Sequence, residues 1–138
     1  MAHKPTVLFL CIHNAGRSQI AAAYLTHLTN DNTIQVHSAG SAPAPSKNPI
    51  VMQAMLEEGI DLSGQNPKVL TRETVEESDV VTMGCGDACP YFPGKRYVDW
   101  RVDDPAGQGI EGVRRVRDEI RGRVEGLIEE LRALGEVE

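Results

Sequence analysis

The chain has 138 residues, 41% of them hydrophobic and 25% charged, which suits one domain with its own core and no disulfide staples. A formal charge of −6 argues against nucleic acid or an anionic membrane as the main partner. No apolar run approaches the ~20 residues of a transmembrane helix. Three cysteines are few for a disulfide scaffold. Met1-Ala2-His3-Lys4-Pro5 carries no signal-peptide pattern, so the expected compartment is the cytoplasm.

Thr6–Leu10 reads as a first strand, apolar enough to be buried on both faces, as in a parallel sheet. Ser18–Leu28 is rich in Ala and Leu and helical in spacing, with Ile20, Ala23, Tyr24 and Leu28 as its apolar positions. Asn30-Asp31-Asn32 makes a turn. Thr33–Ser38 alternates as a second strand, closed by Ala39-Gly40. After the proline-bearing loop Ser41–Ser46, Asn48-Pro49 opens a helix with proline near its first position. Val51, Met55 and Leu56 supply its apolar face, and Gly59 ends it. Thr71–Thr74 begins a short helical turn. Asp79–Met83 is a third buried strand, Gly84–Gly94 a loop, and Arg96–Val98 a fourth strand. From Ile110 to Leu134 the apolar positions Val113, Val116, Ile120, Val124, Leu127, Ile128, Leu131 and Leu134 follow one long amphipathic helix. Strands alternating with helices imply right-handed crossovers and a parallel sheet. The expected fold is α/β: a single-domain three-layer sandwich over residues 1–138, with a four-stranded parallel sheet flanked by helices.

Between the first strand and the first helix lies Cys11-Ile12-His13-Asn14-Ala15-Gly16-Arg17-Ser18. Such a loop turns its backbone N–H groups and a helix N-terminus toward one sulfur, a cradle for a tetrahedral oxyanion with a nucleophile at its base. The setting lowers the thiol pKa from ~8.5 and so favours the thiolate. Arg17 offers a planar fork for two oxygens of the anion. Ser18 can donate a hydrogen bond to the sulfur. Gly16 permits the tight curvature, and Asn14 tolerates left-handed geometry. His13 reads as loop-lining rather than as a base, because the sulfur already has an activating environment. The plain alternative for Cys11 is a small hydrophobe at a strand end, but Arg17-Ser18 at this spacing, between strand and helix, favours the nucleophile.

Gly84-Cys85-Gly86-Asp87-Ala88-Cys89-Pro90 holds the other two thiols. Zinc prefers four ligands, and no His or Cys pair stands near these two in sequence. Inert core cysteines fit poorly among glycine and aspartate. A redox pair on a rearranging loop fits best and, joined to Cys11, makes a three-thiol relay.

The Cys11 loop resembles that of the low-molecular-weight protein tyrosine phosphatase fold. Cys11-Ile12-His13-Asn14-Ala15-Gly16-Arg17-Ser18-Gln19, Ser38-Ala39-Gly40, the Cys85/Cys89 loop and Asp104-Pro105 together resemble the thioredoxin-coupled arsenate reductases built on that fold. The resemblance implies that Cys11 attacks arsenate, whose oxygens are held by Arg17 and by the loop from Ile12 through Ala15 to Gly16. Phosphate and sulfate would serve as analogues. It implies next that Cys85 attacks Cys11, releasing arsenite, and that Cys89 attacks Cys85, leaving a Cys85–Cys89 disulfide for thioredoxin to reduce. The fold places its general acid at an Asp-Pro, which implies that role for Asp104. Without the resemblance, Asp104 reads as a turn former or helix cap.

Two departures shape the reading. Ala106-Gly107 stands where many phosphatases of this fold carry aromatic residues, which favours a small oxyanion over a phosphotyrosine ring. Some related reductases use a glutamate on the first helix to help bind potassium. Ala22 stands there, so no metal site and no cofactor are carried over. The Cys85 loop is shorter than in those enzymes, which keeps mycothiol or glutathione, with a glutaredoxin-like partner, open as the reductant. A phosphatase with redox-protective cysteines is the second expectation, and a non-catalytic oxyanion-binding or redox-sensing module the third.

Overall fold

Val7, Leu8, Phe9 and Leu10 are all buried, which requires a sheet covered on both faces. They belong to β1 (Thr6–Cys11). The computed structural model describes residues 6–11, 16–29, 34–40, 48–62, 69, 71, 73, 76, 80–82, 96–98 and 107–133, with the backbone alone at 11, 80–82, 96–98 and 132–133. β2 is Gln35–Gly40, β3 Val80–Thr82 and β4 Arg96–Val98. Every pairing is parallel, in the order β2-β1-β3-β4. Three helices are described from end to end, α1 (Arg17–Thr29), α2 (Pro49–Leu56) and α3 (Ile110–Ala133), and Glu73 and Glu76 are also helical.

Val7 and Phe9 join one core with Ile20, Tyr24 and Leu25 of α1, Met55 of α2 and Ile120 of α3. Leu8 and Leu10 point to the other face by the alternation of the strand and are also buried. This is the three-layer α/β sandwich expected from the alternation of elements.

Element edges moved where pairing overrode propensity. β2 runs two residues later than expected because Ala39 and Gly40, poor strand formers, pair with Leu10 and Cys11. The helical face of α2 is Val51, Ala54 and Met55. Leu56, expected on that face, is 56% exposed, since it lies about 100° round the helix from Met55. Asn48 caps α2 as expected: its side chain accepts from the Ile50 N–H at 3.0 Å. Gly59, at φ 77°, lets the chain leave in left-handed geometry, and the Ile60 N–H donates back to the Met55 carbonyl at 3.0 Å. Leu134, expected as the last apolar position of the terminal helix, lies outside the described residues, as do Arg72 and Thr74 of the Thr71–Thr74 turn, whose Glu73 is helical.

The apolar pattern of α3 gave no sign of its buried arginine. Arg117 is 8% exposed and donates to the Ala54 carbonyl at 2.9 Å and to Glu57 at 2.8 Å. Arg114 adds two hydrogen bonds to Glu57, at 3.0 and 2.5 Å. Beside them the Tyr24 hydroxyl donates to Glu58 at 3.1 Å, and Arg121 donates to the same oxygen at 3.0 Å while lying over the Tyr24 ring. Burial, with Glu58 alongside, pushes the Tyr24 phenol above its ordinary range, so it stays a donor. This network locks the end of α2 and the middle of α1 onto α3.

The same network makes stability depend on pH. The Arg114 hydrogen bonds, joined by the one from Arg117, hold the Glu57 carboxyl at about 2, against 4.5 ordinarily. A carboxyl depressed in the folded state stabilises it fully above the unfolded value and loses that contribution as pH falls toward the folded one. Urea midpoints are therefore expected to drop between pH 4.5 and about 2. In Glu57→Gln this part of the drop is missing, and an unchanged acid limb in that variant would remove Glu57 as its source.

Gly122 and Gly126 lie exposed inside α3 with open space where a Cβ would stand. Glycine in a helix interior costs roughly 0.5–1 kcal/mol relative to alanine. Gly122→Ala and Gly126→Ala are each expected to raise stability by about that amount, read from denaturant midpoints at constant m-value.

Candidate active site

The chain leaves β1 for β2 on one side of it and later returns to β3 on the other. In a parallel α/β sheet that reversal opens a crevice at the carboxyl end of the central strand. Cys11 is the last residue of β1, and its backbone is paired with Gly40. The sulfur-bearing position thus stands where the topology makes room for a ligand.

α1 begins at Arg17, and its first turn is closed by the Ile20 N–H donating to the Gly16 carbonyl at 2.9 Å. The strand end and the helix start therefore bracket the loop as the sequence implied. No acidic residue stands in the first turn of α1, so its positive end is not neutralised from within the helix. Arg17 is half-buried and Ser18 fully buried. Each takes part in an interaction with its surroundings. The sequence reading named Gln19 in the loop motif but gave it no role of its own; it is 2% exposed and also takes part in an interaction. Its signal was a second long polar residue, two after Arg17, in the first turn of an alanine-rich helix.

The remaining site expectations fall outside the described residues: Ile12, His13, Asn14 and Ala15 of the loop, the thiols Cys85 and Cys89, and Asp104. The strand ends beside them are placed. β3 pairs directly with β1, Phe9 opposite Thr82, and Thr82 is three residues before Cys85. β4 pairs with β3 and ends at Val98, six residues before Asp104. Because all four strands are parallel, both connections leave the sheet at the edge that carries Cys11. Beyond Asp104, Gly107 takes φ 76°, and α3 starts at Ile110.

Residues 6–136 match the model of the low molecular weight phosphotyrosine protein phosphatase family. The chain belongs to this family. Among family members and structures similar to it, Arsenate reductase 1 of Bacillus cereus is 38% identical over 133 residues, 94% of this chain and 98% of that protein. The thioredoxin-dependent arsenate reductase of Corynebacterium glutamicum superposes with a TM-score of 0.80 at 42% identity. That match covers 94% of this chain and 62% of the longer Corynebacterium chain. The YwlE arginine phosphatase of Geobacillus stearothermophilus superposes with a TM-score of 0.80 at 25% identity, covering 94% of both chains. One phosphatase-family scaffold thus carries proteins named for two chemistries, and the residues around the thiol must separate them. Among the described residues of this family member no helix is long and apolar enough to cross a membrane.

Proposed function

We propose that the protein reduces arsenate to arsenite through Cys11, Cys85 and Cys89 and is then restored by an external thiol reductant. The observation that carries this reading is the adjacency of β3 to β1: the loop with two thiols leaves the sheet from the strand next to the one that ends in Cys11. Neighbouring strands lie ~4.8 Å apart and three residues of chain reach at most about 10 Å, a tether short enough for the proposed exchange between Cys85 and Cys11. The 38% identity to a Bacillus arsenate reductase supports the same chemistry.

The Cys11 thiolate attacks arsenic while the Arg17 fork and the amides of Ile12 to Gly16 hold the oxygens. Ser18 donates a hydrogen bond to the sulfur. Asp104 gives a proton to the departing oxygen, which leaves as water. The Cys85 thiolate then attacks the Cys11 sulfur. The S–As bond breaks, its electron pair stays on arsenic, and arsenite departs. Arsenic gains two electrons and the two thiols become a Cys11–Cys85 disulfide. Cys89 attacks Cys85, freeing Cys11 and leaving a Cys85–Cys89 disulfide that the reductant reduces. Each step is oxyanion displacement or thiolate exchange, so it calls for no resident metal or cofactor. The reading takes the chain as one domain working in the cytoplasm, with phosphate and sulfate as unreactive analogues of arsenate.

The deciding experiment follows arsenate-dependent NADPH oxidation with thioredoxin and its reductase. Parallel runs use mycothiol, and glutathione with a glutaredoxin. Turnover is expected, fastest with thioredoxin. No turnover with any of these, beside brisk hydrolysis of an aryl phosphate, would instead make the protein a phosphatase with protective cysteines. Asp104→Asn is expected to slow the first step about 10²–10⁴-fold. Phosphate affinity, measured by calorimetry, stays near that of the parent protein. An unslowed first step removes Asp104 as the acid.

A further inference from the structure

Gly40 ends β2 at a position where a glycine is costly. It is paired on both sides, with Cys11 of β1 in the ladder and with Val69 in an isolated parallel bridge. A glycine inside a strand weakens it, and it stands there for a bulge, a sharp bend, or the close approach of a ligand or another stretch of backbone. The first two fail here. The ladder runs in unbroken register from Thr6 opposite Gln35 to Cys11 opposite Gly40. Gly40 is ordinary strand, and the described glycines with positive φ are Gly59 and Gly107. Close approach remains, and burial supports it. Gly40 is buried although it has no side chain, while Val69 in the same row is 61% exposed.

The register locates that approach. Residues paired across parallel strands share a face, and so do alternate residues of one strand. Gly40 therefore lies on the face of Val7 and Phe9, which α1 covers, and Cys11 is its neighbour on that face. α1 begins with Arg17, the fork expected to hold the anion. A methyl at position 40 would stand one strand spacing, ~4.8 Å, from position 11.

We propose that Gly40 is a positioning residue for the Cys11 site: its bare backbone clears the space beside the thiol, so that the sulfur and a bound oxyanion sit close over the end of β2. It acts through Cys11. The proposal rests on Cys11 as the oxyanion-binding nucleophile and not on the later thiol exchanges.

Gly40→Ala is the test, because it adds one methyl to an extended backbone that alanine adopts freely. Val69→Ala is the control on the far side of the same row. Three quantities are measured on the full chain. They are phosphate affinity by calorimetry, the pH profile of Cys11 alkylation by iodoacetamide read from peptide mass spectra, and the urea midpoint. Gly40→Ala is expected to weaken phosphate about 10-fold or more, the loss of one hydrogen bond to a charged group. The alkylation profile is expected to move to higher pH, as the thiolate loses part of its stabilising surroundings. The urea midpoint is expected to hold, and Val69→Ala to leave all three in place. Phosphate affinity and alkylation like those of the parent protein in Gly40→Ala overturn the proposal. So does a loss of affinity that only tracks a fall in the urea midpoint. Where Gly40→Ala fails to fold, an NMR titration of the parent chain with phosphate decides: the Gly40 amide resonance is expected to shift saturably, and an unmoved resonance overturns the proposal. None of these measurements needs arsenate turnover, so a failed reductase assay is told apart from a failure here.

Discussion

Cys11→Ser is expected to abolish arsenate-dependent NADPH oxidation, with a loss of about 10⁴-fold or more, the scale seen when a nucleophile acting as part of a unit is removed. A serine hydroxyl does not ionise in the environment that ionises a thiol, and it cannot form the disulfide that carries two electrons off arsenic. The substitution replaces one atom at the last position of β1, where the backbone is fixed by pairing with Gly40. The strand and α1 are therefore expected to fold unchanged. Phosphate is expected to bind nearly as well as before, since Arg17 and the loop amides are intact. The aryl phosphatase side reaction, if present in the parent protein, disappears with the reductase activity. Turnover close to that of the parent protein would remove Cys11 from the chemistry altogether.

The position of that residue was legible because three local signals agreed. An unbroken apolar run, a loop with a glycine and an arginine, and an alanine-rich helical stretch lie in immediate succession, and each depends on residues within one or two turns. The structure extends β1 by one residue and α1 by one at each end without changing that arrangement. What the sequence could not supply was strand order. That β3 rather than β4 lies beside β1 is a matter of crossovers spanning many residues, and no periodicity encodes it. Yet that adjacency sets the strand that leads to Cys85 beside the strand that ends in Cys11. Other misses are also long-range. Leu56 reads as apolar face by composition, yet the rotation of α2 against α3 turns it outward. No sequence signal singles out Arg117, yet the end of α2 buries it against the Ala54 carbonyl and Glu57.

The site and the ion-pair network share α1. Arg17 and Ser18 stand at its start, and Tyr24 fixes its middle to Glu58, which Arg121 of α3 also holds. Seven residues of helix separate Arg17 from Tyr24, about 10 Å of rigid rod. A clamp at Tyr24 thus limits the travel of the Arg17 backbone, which is what a preorganised oxyanion cradle requires.

Cys89→Ser separates a reductase from a hydrolase most sharply. In the relay, arsenic receives its two electrons when Cys85 attacks Cys11, before Cys89 takes any part. The variant is therefore expected to release about one equivalent of arsenite per protein in a burst and then stop. Multiple turnover with thioredoxin is expected to fall to background, because the Cys11–Cys85 disulfide lacks the internal thiol that moves oxidation outward. Mass spectrometry of the alkylated, unreduced variant should find Cys11 joined to Cys85, and dithiothreitol should restore both the free thiols and a second burst. In a phosphatase that uses these cysteines only for protection, Cys89→Ser leaves steady-state aryl phosphate hydrolysis untouched and gives no arsenite. Sustained thioredoxin-driven turnover in the variant would mean that the reductant reaches the first disulfide directly, and the third thiol would then have no place in the cycle. Cys85 follows Thr82 by only three residues, and Thr82 stands opposite Phe9, two residues short of Cys11 on the neighbouring strand. So short a tether favours the first exchange, Cys85 onto Cys11, and it is the outward transfer to Cys89 that the burst measures.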